Sequence, residues 1–343
     1  MPPDTNAVHD LRLELLGEWL SQVLGLPGAR IEPASADASF RRYFRVSLPG
    51  RTLIAMDAPP DREDVEPFVR ISLALAATGV SVPNVLEQDR ARGFLLLTDL
   101  GSTHYLAALA RGADPDLLYA DAASALLRIQ LHGDATALEP YGAVLLEREL
   151  GLFPDWFLTR HLGLLLGDAE HELLASVAGT LVGVALEQPQ VFVHRDYHSR
   201  NLMVLDAGNP GILDFQDAVR GAITYDLVSL YKDCYVSWPR QRVLGWVERY
   251  RQRAHACGLA VPAAGEFVRW FDLVGLQRHL KVLGIFARLW YRDGKSSYLA
   301  DLPRVLEYVV ATSAAYPELA MLARLLETEV QPRFDAAQAR AGE

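Results

Sequence analysis

The run HRDYHSRN at 194–201 constrains the fold of this 343-residue chain more than any other segment. An apolar run at 191–193 precedes it and another follows at 202–205. A turn at 208–211 then leads into a third short run that ends at Asp214. Short apolar runs bounded by turn residues are typical of β-strands. The segment is therefore predicted to fold as strand, loop, strand, turn and strand, with an acidic side chain at its end.

Three side chains in this segment suit phosphoryl transfer. That reaction needs an aligned hydroxyl, cations on the phosphates, and ligands that hold those cations. In kinase catalytic loops an aspartate accepts the hydroxyl proton, while an asparagine and a later aspartate hold magnesium. Asp196, Asn201 and Asp214 occur in that order, which predicts an ATP- and Mg²⁺-dependent kinase with Asp196 as base and the other two as metal ligands. A chance match on a turn is the alternative.

Longer stretches around these residues carry a family resemblance. HRDYHSRN, ILDFQDAVRG and TYDLVSLYKD resemble the aminoglycoside phosphotransferase-like kinases, relatives of protein kinases that act on small molecules. When DASFRRYFRV and MDAPPDRED are included, the sequence is similar to those of bacterial cell-wall sugar kinases. Those enzymes phosphorylate the anomeric hydroxyl of N-acetylmuramate and N-acetylglucosamine. The resemblance covers roughly residues 11–308. It implies an α+β, two-lobed protein-kinase-like fold, with a small β-rich lobe at 1–100 and a larger α-helical lobe at 101–343.

The resemblance also implies roles for five residues around the catalytic loop. Asp226 is similar to an aspartate that supports the loop from a following helix, although it could simply be an acid at a helix N-terminus. His194 is expected to be a structural hydrogen-bonding residue of the loop. By their place in the loop, His198 and Arg200 are predicted to orient the acceptor or to offset the charge of the transferred group, and Asp217 to face the substrate or a second metal ion. For these last three, solvated loop residues are the competing interpretation.

Five further residues are predicted to bind the nucleotide. The segment containing Ser39, Arg41 and Arg42 takes the place of the phosphate-covering loop between the first two strands. Side chains alternate along a strand, so at least one face of arginines is expected to be merely exposed. By position, the Thr98 carbonyl and the Leu100 amide are candidates for binding adenine.

The sequence departs from the kinase pattern on the next strand. Where Val-Ala-Ile-Lys would place a phosphate-binding lysine, the chain reads Leu-Ile-Ala-Met and ends at Met56. An arginine from the preceding loop, greater dependence on magnesium, or loss of catalysis could each account for this. Glu66 holds the position of the lysine's usual partner, so it is predicted to pair with an arginine or to be an exposed helix acid.

Apolar spacing predicts the remaining elements. The first helix, at 8–24, is expected to bury a stripe of Leu11, Leu15, Trp19 and Val23. Further helices are predicted at 64–78, 116–131, 143–162, 169–187, 240–257 and 267–291, and strands at 40–48, 52–57, 83–88 and 93–98.

Bulk properties exclude several classes of function. A net charge of −10 and a pI near 5.4 provide no overall field for nucleic acid or an anionic membrane. The two cysteines lie in no metal-binding or disulfide spacing, and no targeting segment is recognised. We therefore predict a cytoplasmic enzyme with a small-molecule amino-sugar substrate and no evident obligatory protein partner. Another acceptor (an aminoglycoside, choline or homoserine) and an idle nucleotide-binding module remain open.

Overall fold

Five antiparallel strands form the main sheet, which lies in the first hundred residues. The computed structural model describes residues 10–25, 28–36 and 40–341. Spatial order in the sheet is β1-β2-β3-β5-β4. The elements of this region are α1 (Leu11–Leu24), β1 (Arg30–Ala36), β2 (Arg42–Leu48), β3 (Arg51–Asp57), α2 (Glu66–Ala77), β4 (Val85–Asp89) and β5 (Phe94–Thr98).

The first helix covers one face of this sheet. Its buried residues are Leu16, Trp19 and Leu20, which pack in a cluster with side chains of β2, β3 and β5. Leu11, which the predicted stripe included, is 61% exposed. The helix is confirmed, and so is the rest of the stripe: Trp19 is buried, and Leu15 and Val23 are partly buried against the same cluster. The helix ends at Gly25 with φ 63°, a left-handed value that glycine adopts without strain.

The other face of the sheet joins the main core. Met56 is fully buried there, in one cluster with Phe68 and Ile71 of α2 and Leu97 of β5. β1 was not predicted, because Pro33 and its small polar neighbours weaken the strand pattern. It pairs with β2 through a register shift just after this proline.

Helices make up most of the remaining chain. α9 is 30 residues long, and most of its side chains are buried against the helices around it. The elements are α3 (Tyr105–Ala110), α4 (Pro115–His132), α5 (Ala143–Leu150), α6 (Asp168–Glu187), α7 (Tyr225–Tyr231), α8 (Arg240–Ala256), α9 (Ala264–Asp293), α10 (Leu302–Ala315), α11 (Ala320–Leu325) and α12 (Gln331–Ala341).

The helix predicted at 143–162 is interrupted. α5 ends at Leu150, and a π-helical segment follows at Phe153–His161. This segment packs closely on α9, where a Cβ added to Gly284 would come within 2.4 Å of the Leu152 backbone. The absence of a side chain at Gly284 therefore permits the close approach of the two backbones.

Two small strand pairs carry the segment that contains the predicted catalytic residues. β6 (Gln190–Val193) pairs with β9 (Val219–Ala222), and β7 (Leu202–Met203) pairs with β8 (Gly211–Ile212). The predicted strand-loop-strand-turn-strand order is confirmed, as is the α+β architecture. The boundary predicted near residue 100 falls between β5 and α3, and it stays a prediction.

One helix in the described part of the chain, α6, is long and apolar enough to cross a membrane by length and composition. Its buried residues include Val177, Leu181 and Val184, and the helix contacts α5, α9 and β9. Packing against the core accounts for the apolar residues of this buried face.

Candidate active site

A buried aspartate supports the predicted catalytic loop at 194–201. Asp226, on α7, accepts hydrogen bonds from the backbone amides of His194 at 2.7 Å and Arg195 at 3.0 Å. Arg195 has φ 77°, a left-handed value that non-glycine residues adopt at a cost of about 1–3 kcal/mol. The two hydrogen bonds help to fix this conformation, so Asp226 lies where a loop-supporting residue is expected.

Burial perturbs two titratable groups beneath the loop. It raises the pKa of Asp226 to about 7, although the two amide hydrogen bonds act in the opposite direction. Burial also lowers the pKa of His194 to about 4. A neutral His194 can donate from Nε2 to the Leu213 carbonyl oxygen, 2.9 Å away. This contact ties the loop to the residue before Asp214.

The three residues predicted to carry the chemistry meet in one place. The Asn201 side-chain amide donates to the backbone oxygen of Asp196 at 3.0 Å and lies 3.3 Å from Oδ2 of Asp214. Asp214 has φ 61°, a second left-handed residue of this segment. All three line a cleft of about 840 Å³. The loop therefore brings a candidate base and two candidate metal ligands to the same wall.

Cations on α9 surround the candidate base. The Asp196 carboxylate is 47% exposed, and Arg278 Nη2 lies 3.6 Å from its Oδ1. Burial alone would raise the pKa of Asp196, but the charges of His198, Arg278 and Lys281 outweigh it and lower the pKa to about 2. Asp196 is therefore ionised at neutral pH and able to accept a hydrogen bond from a hydroxyl.

A buried charge cluster continues behind this wall. Glu149 Oε1 lies 3.0 Å from Lys281 Nζ and 2.5 Å from Arg195 Nη2. Lys281 Nζ is also 3.3 Å from the hydroxyls of Tyr141 and Tyr225. Two cations thus share one carboxylate, which is itself 9% exposed.

Sequence reasoning missed Glu149, Arg278 and Lys281. One signal was available, because Arg278 and Lys281 lie three apart within the mostly apolar run at 273–287, where unpaired charges are seldom buried.

The opposite end of the cleft is the segment after β5. Thr98 and Leu100 both line the cleft, as predicted for the adenine-binding edge. Arg45 Nε donates to Asp99 at 2.7 Å, and Arg45 Nη2 donates to the Gly101 carbonyl oxygen at 2.8 Å. These contacts fix the segment against β2.

The predicted arginines separate onto two sides of the sheet. Arg41 is 10% exposed, and its Nη2 lies 3.7 Å from Asp214 Oδ1, so it reaches the candidate metal site. Neither arginine lines the cleft itself, and Arg42 instead contacts Asp57 and Asp10. The structure therefore does not bring Arg42 to the predicted nucleotide site, because alternation along β2 turns it the other way. Ser39 lies outside the described residues.

Glu66 forms a surface ion pair away from the cleft. Its carboxylate is 2.5 Å from Arg90 Nη1, and both side chains are about half exposed. Glu66 is thus paired with an arginine, one of the two interpretations left open by the sequence.

The acceptor-side predictions have mixed outcomes. His198 and Arg200 line the cleft, and the His198 ring packs edge-on against Tyr235 with centroids 5.2 Å apart. Asp217 is exposed and does not line the cleft; its carboxylate is 3.2 Å from Gln216 Nε2. Asp217 lies in the turn at 216–217, and Gln216 Nε2 also donates to Asp214 at 2.9 Å, so the same amide links the two carboxylates. Because Asp217 does not line the cleft, a direct substrate contact is not supported.

The residues at the cleft suit magnesium bound together with phosphate. Among the described residues no group of three or more His, Cys, Asp or Glu side chains could hold a metal ion. Magnesium in kinases commonly uses one or two protein oxygens together with phosphates and water. Asp214 provides a carboxylate and Asn201 an amide oxygen at the same wall, so the donor set fits that pattern.

Known proteins resemble this chain over most of its length. The sequence profile of the phosphotransferase enzyme family matches residues 30–270. A Pseudomonas aeruginosa protein named N-acetylmuramate/N-acetylglucosamine kinase is 49% identical over 331 residues, which cover 92% of this chain and 96% of that protein. A Pseudomonas putida protein of the same name is 47% identical over 329 residues, covering 93% and 96%.

The fold is also that of solved phosphotransferases. An aminoglycoside phosphotransferase solved with ADP bound superposes with a TM-score of 0.58 at 13% identity, covering 88% of this chain and 98% of that one. The predicted kinase-like fold and the predicted family are both confirmed. The chain belongs to the phosphotransferase enzyme family.

Proposed function

We propose that this chain is an ATP- and magnesium-dependent sugar kinase. It phosphorylates the anomeric hydroxyl of N-acetylmuramate and N-acetylglucosamine, giving the α-1-phosphates during recycling of peptidoglycan sugars in the cytoplasm. One observation carries the proposal: Asp196, Asn201 and Asp214 meet at one cleft, in a chain 49% identical to a protein named for this activity.

ATP fits with its adenine against the Thr98–Leu100 edge and its phosphates toward Asn201 and Asp214. A strand edge presents the backbone donors and acceptors that an adenine ring needs. Magnesium held by Asn201 and Asp214 would neutralise charge on the phosphates during transfer. Arg41 is the arginine that takes over from the missing strand lysine, because it is the one of the two predicted arginines that reaches Asp214.

Asp196 acts on the acceptor. The anomeric oxygen forms a bond to the γ-phosphorus while the bond from that phosphorus to the bridging oxygen of ADP breaks. The hydroxyl proton passes to Asp196 late in this step, because an anomeric hydroxyl is more acidic than an ordinary alcohol. Alignment and fixed charge supply most of the acceleration.

The end of the cleft beyond Asp196 suits an N-acetyl sugar. Val282, Ile285, Phe286, Leu289 and Tyr298 form an apolar wall there, against which an acetamido methyl and a sugar ring can pack. Arg200, Arg278 and Lys281 line the same cleft with positive charge. An anionic acceptor suits this end better than a polycationic aminoglycoside does.

The test is incubation with Mg²⁺ and ATP and a panel of acceptors: N-acetylmuramate, N-acetylglucosamine, glucose, choline, homoserine and an aminoglycoside. ADP release is followed by a coupled assay, and the product by phosphorus NMR. We expect an acid-labile anomeric phosphate from the two N-acetyl sugars. Phosphorylation of another acceptor would support the kinase activity but contradict the proposed substrate. ATP binding without turnover on any acceptor would contradict the proposal.

A further inference from the structure

Arg200 differs from the other cations at the acceptor end in how the protein holds it. Arg278 donates to Ser229 at 2.6 Å and contacts Asp196, and Lys281 is engaged by Glu149 and two tyrosine hydroxyls. Arg200 has no hydrogen bond to any residue of the described chain. Its charged contacts there amount to an ion pair at 3.8 Å from Asp301.

The Arg200 guanidinium is nonetheless fixed in place. It stacks on the ring of Tyr235 at 3.5 Å from the centroid, and His198 packs edge-on against that same ring. The Tyr235 amide donates to Asp233, which also accepts two hydrogen bonds from Ser199 of the catalytic loop. Stacking fixes the plane of a guanidinium while leaving its N–H groups to bind another partner.

The position of Arg200 suits an acceptor group remote from the reacting hydroxyl. It lies four residues after Asp196, lines the same cleft, and its side chain is 44% exposed. The facing carboxylate, Asp301, is shared with Arg304 Nη1 at 3.1 Å, so Asp301 keeps a cationic partner when Arg200 turns to a ligand. A planar guanidinium with open donors binds a carboxylate through two parallel hydrogen bonds.

We propose that Arg200 binds the lactyl carboxylate of N-acetylmuramate and thereby sets the preference of the enzyme between its two acceptors. This inference rests on the proposed function. The two sugars differ in that lactyl group, since N-acetylglucosamine carries a neutral hydroxyl instead. Arg200 therefore contributes binding energy to one acceptor and little to the other.

The test measures the activity of two enzymes with each of three acceptors. Wild type and Arg200→Gln are assayed with N-acetylmuramate, its methyl ester and N-acetylglucosamine at saturating ATP. We expect Arg200→Gln to lower kcat/KM for N-acetylmuramate by about 10- to 100-fold, through KM, since a charge-assisted pair is lost. The ester should lose a similar factor with the wild type, and Arg200→Gln should change kcat/KM for the ester and for N-acetylglucosamine by less than about 3-fold.

The controls separate this inference from other effects. Arg292→Gln removes an exposed arginine that pairs with Asp293 outside the cleft, so it should leave the acceptor preference unchanged. The methyl ester tests the carboxylate without altering the protein, which guards against misfolding of the variant. An equal loss for all acceptors in Arg200→Gln would overturn the inference and place Arg200 on the transferred phosphoryl group. Failure of the wild type with both sugars would instead overturn the proposed function.

Discussion

On the sheet side of the cleft, arginines pair with carboxylates at the edge of the small lobe, whereas on the α9 side cations lie deep in the protein. Arg42 and Arg12 both contact Asp57, and Arg45 pairs with Asp99. These three arginines are 29–37% exposed. Arg278 and Lys281, by contrast, are 5% and 10% exposed.

This difference indicates that the cations on the two sides have different roles. Cations on the sheet side hold strands together, and Arg41 reaches across to the candidate metal site. Arg278 contacts Asp196 directly, whereas Lys281 and Arg195 are balanced by Glu149. Substitutions on the α9 side should therefore affect chemistry or global stability, while those on the sheet side should affect nucleotide binding or local stability.

The largest expected effect is on chemistry at Asp196. Asp196→Asn should lower kcat by about 10³-fold, because the acceptor proton loses its base while the shape of the site is kept. The coupled ADP assay measures this. Stabilisation of the variant by ATP in thermal unfolding should persist, since the nucleotide contacts are elsewhere. Retention of wild-type turnover would refute the role of Asp196.

The free energy of unfolding should fall more when the buried contacts of Glu149 are broken than when the exposed Glu66–Arg90 pair is broken. Glu149→Gln leaves Arg195 and Lys281 buried without their shared carboxylate, so it should lower the free energy of unfolding by about 3 kcal/mol. The matched change Glu66→Gln breaks the exposed pair with Arg90 and should cost less than about 1 kcal/mol. Urea unfolding measures both. Equal losses of unfolding free energy in Glu149→Gln and Glu66→Gln would contradict the expected difference between the buried and the exposed contacts.

Substitution of Arg41 should weaken nucleotide binding, whereas substitution of its neighbour Arg42 should lower stability. Arg41→Gln should raise KM for ATP by about 10-fold with little change in unfolding, because its guanidinium lies beside Asp214. Arg42→Gln should leave that KM within about 2-fold and lower the unfolding free energy by roughly 1–2 kcal/mol, because Asp57 is fully buried. The reverse pattern would show that Arg42 faces the nucleotide.

The smallest expected effect is a change in the free energy of unfolding in mild acid. Burial lowers the pKa of His279 to about 3, so below its usual value of 6.5 the unfolded chain takes up a proton that the folded protein refuses. That contribution to stability is present above pH 6.5 and is lost as the pH falls toward 3, by up to about 1.4 kcal/mol per pH unit. On the sheet side, burial would raise the pKa of Asp99, but hydrogen bonds led by Arg45 outweigh it and lower the pKa, so this carboxyl matters only in stronger acid.

The His279 effect is measured as a difference between two proteins. His279→Gln, which can keep a donor to the Lys232 carbonyl oxygen, should be less stable than wild type at neutral pH. Its deficit in unfolding free energy should shrink by roughly 1 kcal/mol between pH 6 and pH 5 and stay constant between pH 7 and pH 8. A deficit that does not vary with pH would show that His279 has the same pKa in the folded and the unfolded protein.

Much of the small lobe could be predicted, but not which face of it meets the cleft. Periodicity predicted α1, α2 and four of the five strands, because local apolar spacing fixes the type of an element. It identified Trp19 in the buried stripe of α1 but not Leu16 and Leu20, and it left Arg41 and Arg42 undecided. Strand alternation states that neighbouring side chains point apart, whereas only the packing of α1 on one face assigns each direction.

The sequence by itself determined the local arrangement of the candidate catalytic segment. Asp196, Asn201 and Asp214 lie within 19 residues of chain, and short strands with tight turns leave them few arrangements. Only the tertiary structure decided what surrounds them. Glu149 on α5, Arg278 and Lys281 on α9 and Asp301 beyond it are far apart in sequence, and none belongs to a local motif. The reason is physical: a local pattern encodes short-range geometry, whereas the charge around a buried carboxylate depends on which distant helices pack against it.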